Sequence, residues 1–234
     1  MILEQQLKNI LPVPGKTNLD WYLFYMMAKE YQGKPMCEVG IGNGGSCLTL
    51  AELTDKLHLI DSWHQTWAKE PVQDMFENLN HPAVFIDSKS IEVSSKQIQK
   101  YSFVHLDANK SYLETYDDLT FYSTHCSGII CVDDYLQSMW PEVTRATDDF
   151  VHRTNWRRIL IGNHQVFLSK KSEIKALQEI IMHFPVVISK KEVYLTYGEL
   201  PTDKLFTKFL NAENNKQYTW HRTAYSRINK ANED

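Results

Sequence analysis

No apolar run in the 234-residue chain approaches the ~20 residues that span a bilayer, so no membrane partner is expected. Basic residues are not in excess. Twenty-five Lys and Arg stand against 29 Asp and Glu, for a formal charge of −4 and a pI near 6.1. A broad nucleic-acid surface shows as a basic excess, so no nucleic-acid partner is expected either. Cysteine is scarce, at four residues (Cys37, Cys47, Cys126 and Cys131), and no C-x-x-C pair exists. Cys37 and Cys131 lie in apolar, strand-like runs, which reads as reduced core thiols of a cytoplasmic protein, not zinc ligands or disulfides. The opening segment, MILEQQLKNILPVPGKT, is too polar for a signal peptide. Internal repeats and low-complexity tracts are absent. The remaining composition, 43% hydrophobic and 23% charged, is that of an ordinary globular protein with room for a substantial core.

Glycine is also scarce, at nine residues, yet Gly40, Gly42, Gly44 and Gly45 fall within six positions of the stretch CEVGIGNGGSCLTL (37–50). Glycine marks a tight turn or a place where a ligand comes close to backbone. A plain turn or helix cap would explain one such glycine; the rest of the chain bears on four.

Along the chain, short apolar strands alternate with helices. Residues 19–33 read as an amphipathic helix, 36–40 as a buried strand and 46–54 as the helix after the glycine loop. Strands follow at 56–61, 83–87, 101–107 and 128–134. Helices are expected at 70–79, 91–100, 111–123 and 141–153, the last with Pro141 in its first turn. Two β-rich runs flank Gly162-Asn163 within 156–170 and predict a hairpin with a two-residue turn. This alternation predicts an α/β fold: a Rossmann-like three-layer sandwich on a seven-stranded, mostly parallel sheet, with one antiparallel strand in the terminal hairpin. Residues 1–170 are expected to form the core with its N-terminal helix. Residues 171–234 extend the same domain with a helix (Ile174, Leu177, Ile181 and Phe184 on one face, Ser172 as cap), a hairpin over 186–197, and a tail mixing aromatic and basic residues.

Such a sheet binds ligands beyond the carboxyl ends of its strands. The first strand ends in the glycine loop, the second in Asp61, the third in Asp87, the fourth in Asp107 and the fifth in Asp133-Asp134. Aspartate also caps helices, so each acid singly has a plainer explanation. The loop itself admits two ligands. Gly40, Gly42 and Gly45 satisfy G-x-G-x-x-G with Asp61 about 20 residues on, the outline of a dinucleotide site. Glu38-Val39-Gly40-Ile41-Gly42-Asn43-Gly44 equally gives acidic-x-Gly-x-Gly-x-Gly. An acid two residues before the first glycine suits a ligand with an ammonium group better than a pyrophosphate. Asp61 would accept from ribose hydroxyls in either case.

Here the chain resembles the class I S-adenosylmethionine-dependent methyltransferases, on the glycine motif and Asp61. A narrower resemblance covers roughly residues 36–170. FVHLDANKSYLETYDDL, SGIICVDDY and WPEVTRATDDF are similar to the small-molecule O-methyltransferases of the macrocin and cephalosporin type. The resemblance implies S-adenosyl-L-methionine as cofactor and O-methylation of a hydroxyl on a sugar or other small metabolite. It implies cofactor contacts from Glu38, Gly40, Gly42, Gly44, Asp61, Ser62, Trp63, Asp87, Ser88 and Asp107. It also implies a divalent metal, Mg2+, on Asp107, Asp133 and Asp134, and a catalytic segment at Asp107, Asn109 and Lys110.

A metal held by three carboxylates would orient an acceptor hydroxyl and lower its pKa. Without it the carboxylates would raise one another's pKa values, and one would serve as a general base. The segment departs from the group: Asn109 and Lys110 stand where Asp and His are usual. Asn109 cannot be a base, and Lys110 is one only if burial strongly depresses its pKa. Two alternatives stay open, a Rossmann oxidoreductase binding NAD(P) and a non-catalytic cofactor-binding protein. His64, Trp67 and Trp140 are candidates for the adenine or substrate wall, while His105 and His164 read as core residues. Homo-oligomerisation is left open.

Overall fold

The computed structural model describes residues 18–42, 44–63, 66–162, 164–171, 174–177, 186–189 and 192–195. Helix α1 (Asn18–Lys29) precedes strand β1 (Met36–Val39), followed by α2 (Gly45–Ala51), β2 (Leu57–Asp61), α3 (Thr66–Asn78) and β3 (Val84–Asp87). Then come β4 (Tyr101–Leu106), α4 (Tyr112–His125), β5 (Cys126–Asp133), α5 (Pro141–Arg153), β6 (Arg157–Ile161) and β7 (Gln165–Ser169). Strands β8 (Val186–Ser189) and β9 (Glu192–Leu195) close the series. Ser111 caps α4 by accepting from the Glu114 amide, and Pro141 opens α5, where its missing N–H costs nothing.

The sheet order is β3-β2-β1-β4-β5-β7-β6-β9-β8. Strands β1 to β5 run parallel, and β7 is antiparallel to both β5 and β6. The seven strands β1 to β7 are therefore the expected sheet, parallel but for the second strand of the hairpin. The described part of the C-terminal segment adds two more. Strand β9 joins β6 in parallel through Ile161 and Tyr194, and β8 pairs antiparallel with β9. Strand order reverses between β1 and β4, which opens a crevice above their carboxyl ends.

Side-chain alternation divides the core into two layers. Phe103, Ile129, Cys131 and Phe167 pack with Leu23, Met27, Leu50 and Phe76 on the face covered by α1, α2 and α3. Val104, Ile130, Val132 and Leu168 pack with Leu119, Tyr122 and Phe150 on the face covered by α4 and α5. All four cysteines are buried. One irregularity interrupts the β4–β5 ladder. Tyr101 pairs with Cys126 but Phe103 with Ile129, two steps on β4 against three on β5.

Two expectations are corrected. Residues 91–100 form no α-helix, only a 3-10 turn at Ser90–Glu92 followed by irregular chain. Ser94 and Gln97 bond nearby backbone amides, at 3.1 Å to Lys96 and 2.9 Å to Ser94, and so offer the backbone an alternative to the helix ladder. The β6–β7 connection spans three residues, not two. The Gly162 amide donates to the Gln165 carbonyl at 2.8 Å, and Asn163 lies outside the described residues. Helix is described at 175–177, while the Ser172 cap, the rest of that helix and the tail from 196 lie outside the described residues.

Candidate active site

A cleft of about 520 Å³ opens at the carboxyl ends of β1, β2 and β4. Its walls are Val39 at the end of β1, Gly40 and Gly42 of the glycine loop, and Ile60 to Trp63 at and just past the end of β2. Ser88 to Ser90 follow β3, Asp107 to Asn109 follow β4, and Glu114 comes from α4.

The glycine loop is bare for stated reasons. Gly40 has φ +85°, and a Cβ there would lie 2.5 Å from the Ala108 amide nitrogen. That close approach brings the β1 and β4 loops together. Gly42 has φ +53° with nothing within 4 Å, so its backbone faces open space in the cleft. Asp61 ties the loop to β2. Its Oδ2 accepts from the Ile41 amide at 2.8 Å and its Oδ1 from the Trp63 amide at 2.8 Å. Each carboxylate oxygen has a second lone pair, which suits ribose hydroxyls.

Trp63 is itself held. Its Nε1 donates to Asp87 Oδ1 at 2.9 Å, and Asp87 also pairs with Lys69. Asp87 thus positions a wall residue and does not line the cleft. Gly44 is the left-handed residue before α2, with a Cβ position 2.9 Å from Met75 Cε, and it lies outside the lining as well. Glu38 is fully buried and also does not line the cleft. Its Oε1 accepts from Ser46 and meets His105 Nδ1 at 3.2 Å, while Oε2 has no hydrogen-bond partner. His105 is the register partner of Glu38 across β1 and β4, and its ring stands 4.7 Å from that of Phe24. Ser62, Ser88 and Asp107 line the cleft.

The acids beyond β4 and β5 are arranged differently from the expected metal trio. Lys110 Nζ donates to Asp107 Oδ1 at 2.7 Å and forms an ion pair with Asp134 Oδ2. Burial favours loss of the Lys110 proton, but Asp107 and Asp134 outweigh it and hold the pKa above the ordinary lysine value. Lys110 therefore stays an ammonium and is no base. Asp133 is buried, its Oδ1 accepting from Gln165 Nε2 at 3.1 Å. Among the described residues, the group with ligand atoms within 4.8 Å of one another is His105, Asp107 and Asp133. Mg2+ on Asp107, Asp133 and Asp134 does not fit this arrangement, because a cation already joins two of the three.

Asn109 lines the cleft with its amide nitrogen committed. Nδ2 donates to Ser90 Oγ at 2.6 Å and to Asp118 Oδ2 at 2.8 Å. Asp118, on the buried face of α4, was not expected at the site. Burial pushes its pKa up to about 6 against the opposing hydrogen bonds from Ser90 and Asn109. Its only signal in the sequence is an acid beside Leu119 on an apolar helix face. Glu114 was also missed, although Ser111-x-x-Glu114 reads as a capping box. Trp140 is partly exposed, His164 is buried, and His64 and the side chain of Trp67 lie outside the described residues.

No known family profile and no curated protein matches the chain. Solved structures do. The O-methyltransferase NovP is 16% identical with a TM-score of 0.55, over 65% of this chain and 79% of that one. An rRNA methylase from Streptococcus thermophilus is 14% identical with a TM-score of 0.53, over 68% and 99%. A Streptococcus mutans protein assigned as a methyltransferase and solved in complex with SAH is 13% identical with a TM-score of 0.52, over 65% and 96%. The chain thus shares the class I methyltransferase fold of these structures.

Proposed function

We propose that this chain binds S-adenosyl-L-methionine in the cleft and catalyses methyl transfer to a hydroxyl of a small molecule, such as a sugar or a glycosylated metabolite. One observation carries the reading. The left-handed Gly40 and Gly42 flank Ile41, whose amide Asp61 holds, and line a cleft that also reaches Asp107, a member of an acid cluster.

The residues present fit an adenosyl ligand. Gly42 leaves the approach to the backbone open, Asp61 offers acceptors to ribose hydroxyls, and Trp63 forms an apolar wall held by Asp87. When bound, the cofactor supplies an electrophilic methyl carbon on a sulfonium. The chain's task is then mainly to hold the acceptor oxygen in line with that carbon. Of the carboxylates at the cleft, Asp107 is the one we assign as the base, since Asp61 is committed to the Ile41 and Trp63 amides. Asp107 accepts the hydrogen bond of the acceptor hydroxyl and takes its proton as the O–C bond forms. The bound sulfonium would supply the leaving group, a neutral thioether that would take the electron pair of the C–S bond. Lys110 holds the Asp107 carboxylate in place through Oδ1.

A small-molecule acceptor suits the formal charge of −4 better than RNA does. Burial of all four cysteines fits a reducing, cytoplasmic setting. No helix among the described residues is long and apolar enough to cross a membrane. Isothermal titration with S-adenosylhomocysteine and with NAD+ tests the reading. Binding of S-adenosylhomocysteine alone supports it; binding of NAD+ alone replaces it with an oxidoreductase. Cofactor binding without turnover over a broad panel of hydroxylated acceptors would point to a non-catalytic binding protein.

A further inference from the structure

We infer that the Lys110 ammonium is the resident cation of the carboxylate cluster beyond β4 and β5, standing where a divalent metal would otherwise be held. The inference deepens the proposed function, since it makes methyl transfer at this site independent of added metal.

The argument starts from placement. Asp107 follows β4 and Asp134 follows β5, and these neighbouring parallel strands bring their carboxylates to one side of the cleft. Lys110 lies three residues after Asp107, in the turn before α4. From there Nζ reaches Asp107 Oδ1 at 2.7 Å, pairs with Asp134 Oδ2, and lies 3.4 Å from the Asp107 carbonyl oxygen. One ammonium thus meets oxygens from two chain segments, the role a small cation plays among oxygen ligands.

The backbone is built to keep Asp134 there. Asp134 and Leu136 have φ of +59° and +64°, left-handed values that are costly for residues other than glycine. Two successive amides of this turn are fixed. The Tyr135 amide donates to the His164 carbonyl at 3.0 Å, and the Leu136 amide to Thr144 Oγ1 at 2.8 Å. A strained turn held at two points presents Asp134 to Lys110.

Electrostatics then decides against a second cation. His105, Asp107 and Asp133 have ligand atoms within 4.8 Å of one another, the best remaining metal group among the described residues. It shares Asp107 with Lys110. An ion at ~2.1 Å from Asp107 Oδ1 would sit within about 5 Å of the ammonium, where the repulsion is strong in a partly buried site. Removing the ammonium removes that repulsion and makes the carboxylate cluster one charge more negative.

The test is a Mn2+ titration of the full chain, read by electron paramagnetic resonance, on the parent protein, Lys110→Gln and Lys110→Arg. Circular dichroism confirms that each is folded. The titration needs neither cofactor nor acceptor, so it stands apart from the test of methyl transfer. The parent protein and Lys110→Arg should leave Mn2+ free up to about 1 mM, while Lys110→Gln should bind one equivalent at least about tenfold more tightly. Adding Asp107→Asn to Lys110→Gln should abolish the gain, because Asp107 is the acid shared by the Lys110 pair and the His105, Asp107 and Asp133 group. Uptake of Mn2+ by the parent protein as tight as in Lys110→Gln overturns the inference. So does a folded Lys110→Gln that gains no binding. Once an acceptor is known, turnover abolished by a chelator overturns it as well.

Discussion

Asp61 and Ile41 lie 20 residues apart in sequence, and Asp61 Oδ2 accepts from the Ile41 amide at 2.8 Å. The same carboxylate holds the Trp63 amide through its other oxygen. One side chain therefore shapes two walls of the cleft before any ligand arrives. Asp61→Ala should weaken S-adenosylhomocysteine binding by about tenfold to a hundredfold, the range for losing charged hydrogen bonds. Asp61→Asn should lose less. Calorimetry would show it, and an affinity within twofold of the parent would remove Asp61 from ligand binding.

The glycines of the loop should separate by effect. Gly40→Ala puts a methyl 2.5 Å from the Ala108 amide nitrogen at φ +85°, so backbone must move. Gly42→Ala meets nothing within 4 Å and bears only the left-handed strain, about 1–2 kcal/mol. Chemical denaturation should show Gly40→Ala losing clearly more stability than Gly42→Ala. Equal losses would mean that the β1 and β4 loops are not in contact.

Glu38 should matter for folding more than for binding. It is buried against Ser46 and His105, and it does not line the cleft. Glu38→Ala leaves both partners without their acceptor, at about 1–3 kcal/mol for each buried polar group. Glu38→Gln keeps an acceptor oxygen and should cost less, with cofactor affinity almost unchanged. A large affinity loss in a stable Glu38→Gln would restore Glu38 to the ligand site.

Asp118 gives a pH dependence of definite sign. Its pKa rises from 3.8 to about 6 on folding. Between about pH 4 and pH 6 the folded chain keeps a proton that the unfolded chain has released, so stability falls as pH rises through this window. The full effect is about 3 kcal/mol. Asp118→Asn should flatten that part of the stability profile, measured by denaturant titration at several pH values. An unchanged slope would mean that Asp118 does not carry it.

The strand ends were legible because each buried strand is a short apolar run that stops at an acid: KLHLID, AVFID, YSFVHLD and GIICVDD. A parallel α/β sheet puts such stops on one edge, and Asp61 and Asp107 meet at one cleft for that reason. The hairpin was legible from two β-rich runs around a glycine. Pairings across the chain were not. Nothing local says that Glu38 turns into the core toward His105, because both strand faces are apolar around it. Nor does spacing show that Asp87 is taken up by Trp63 and Lys69, or that Asp118 lies under Asn109. The mistaken helix at 91–100 arose from composition, where serine and glutamine side chains compete for the backbone amides.

The interrupted pairing between β4 and β5 has a consequence at the far end of both strands. Tyr101 pairs with Cys126, yet Phe103 pairs with Ile129 and His105 with Cys131. Were the first pairing carried on without interruption, Phe103 would fall beside Gly128 and Asp107 beside Val132. Asp133 would then point to the opposite face of the sheet, away from His105. Gly128 stands at the interruption, where a Cβ would lie 2.0 Å from the Ser102 carbonyl oxygen and 2.6 Å from the Tyr31 ring. It sits about 16 Å of strand before Asp133. The meeting of acids at the mouth of the cleft is thus set by chain register at the opposite edge of the sheet. A change there that touches neither cofactor nor acceptor would still be read out as chemistry.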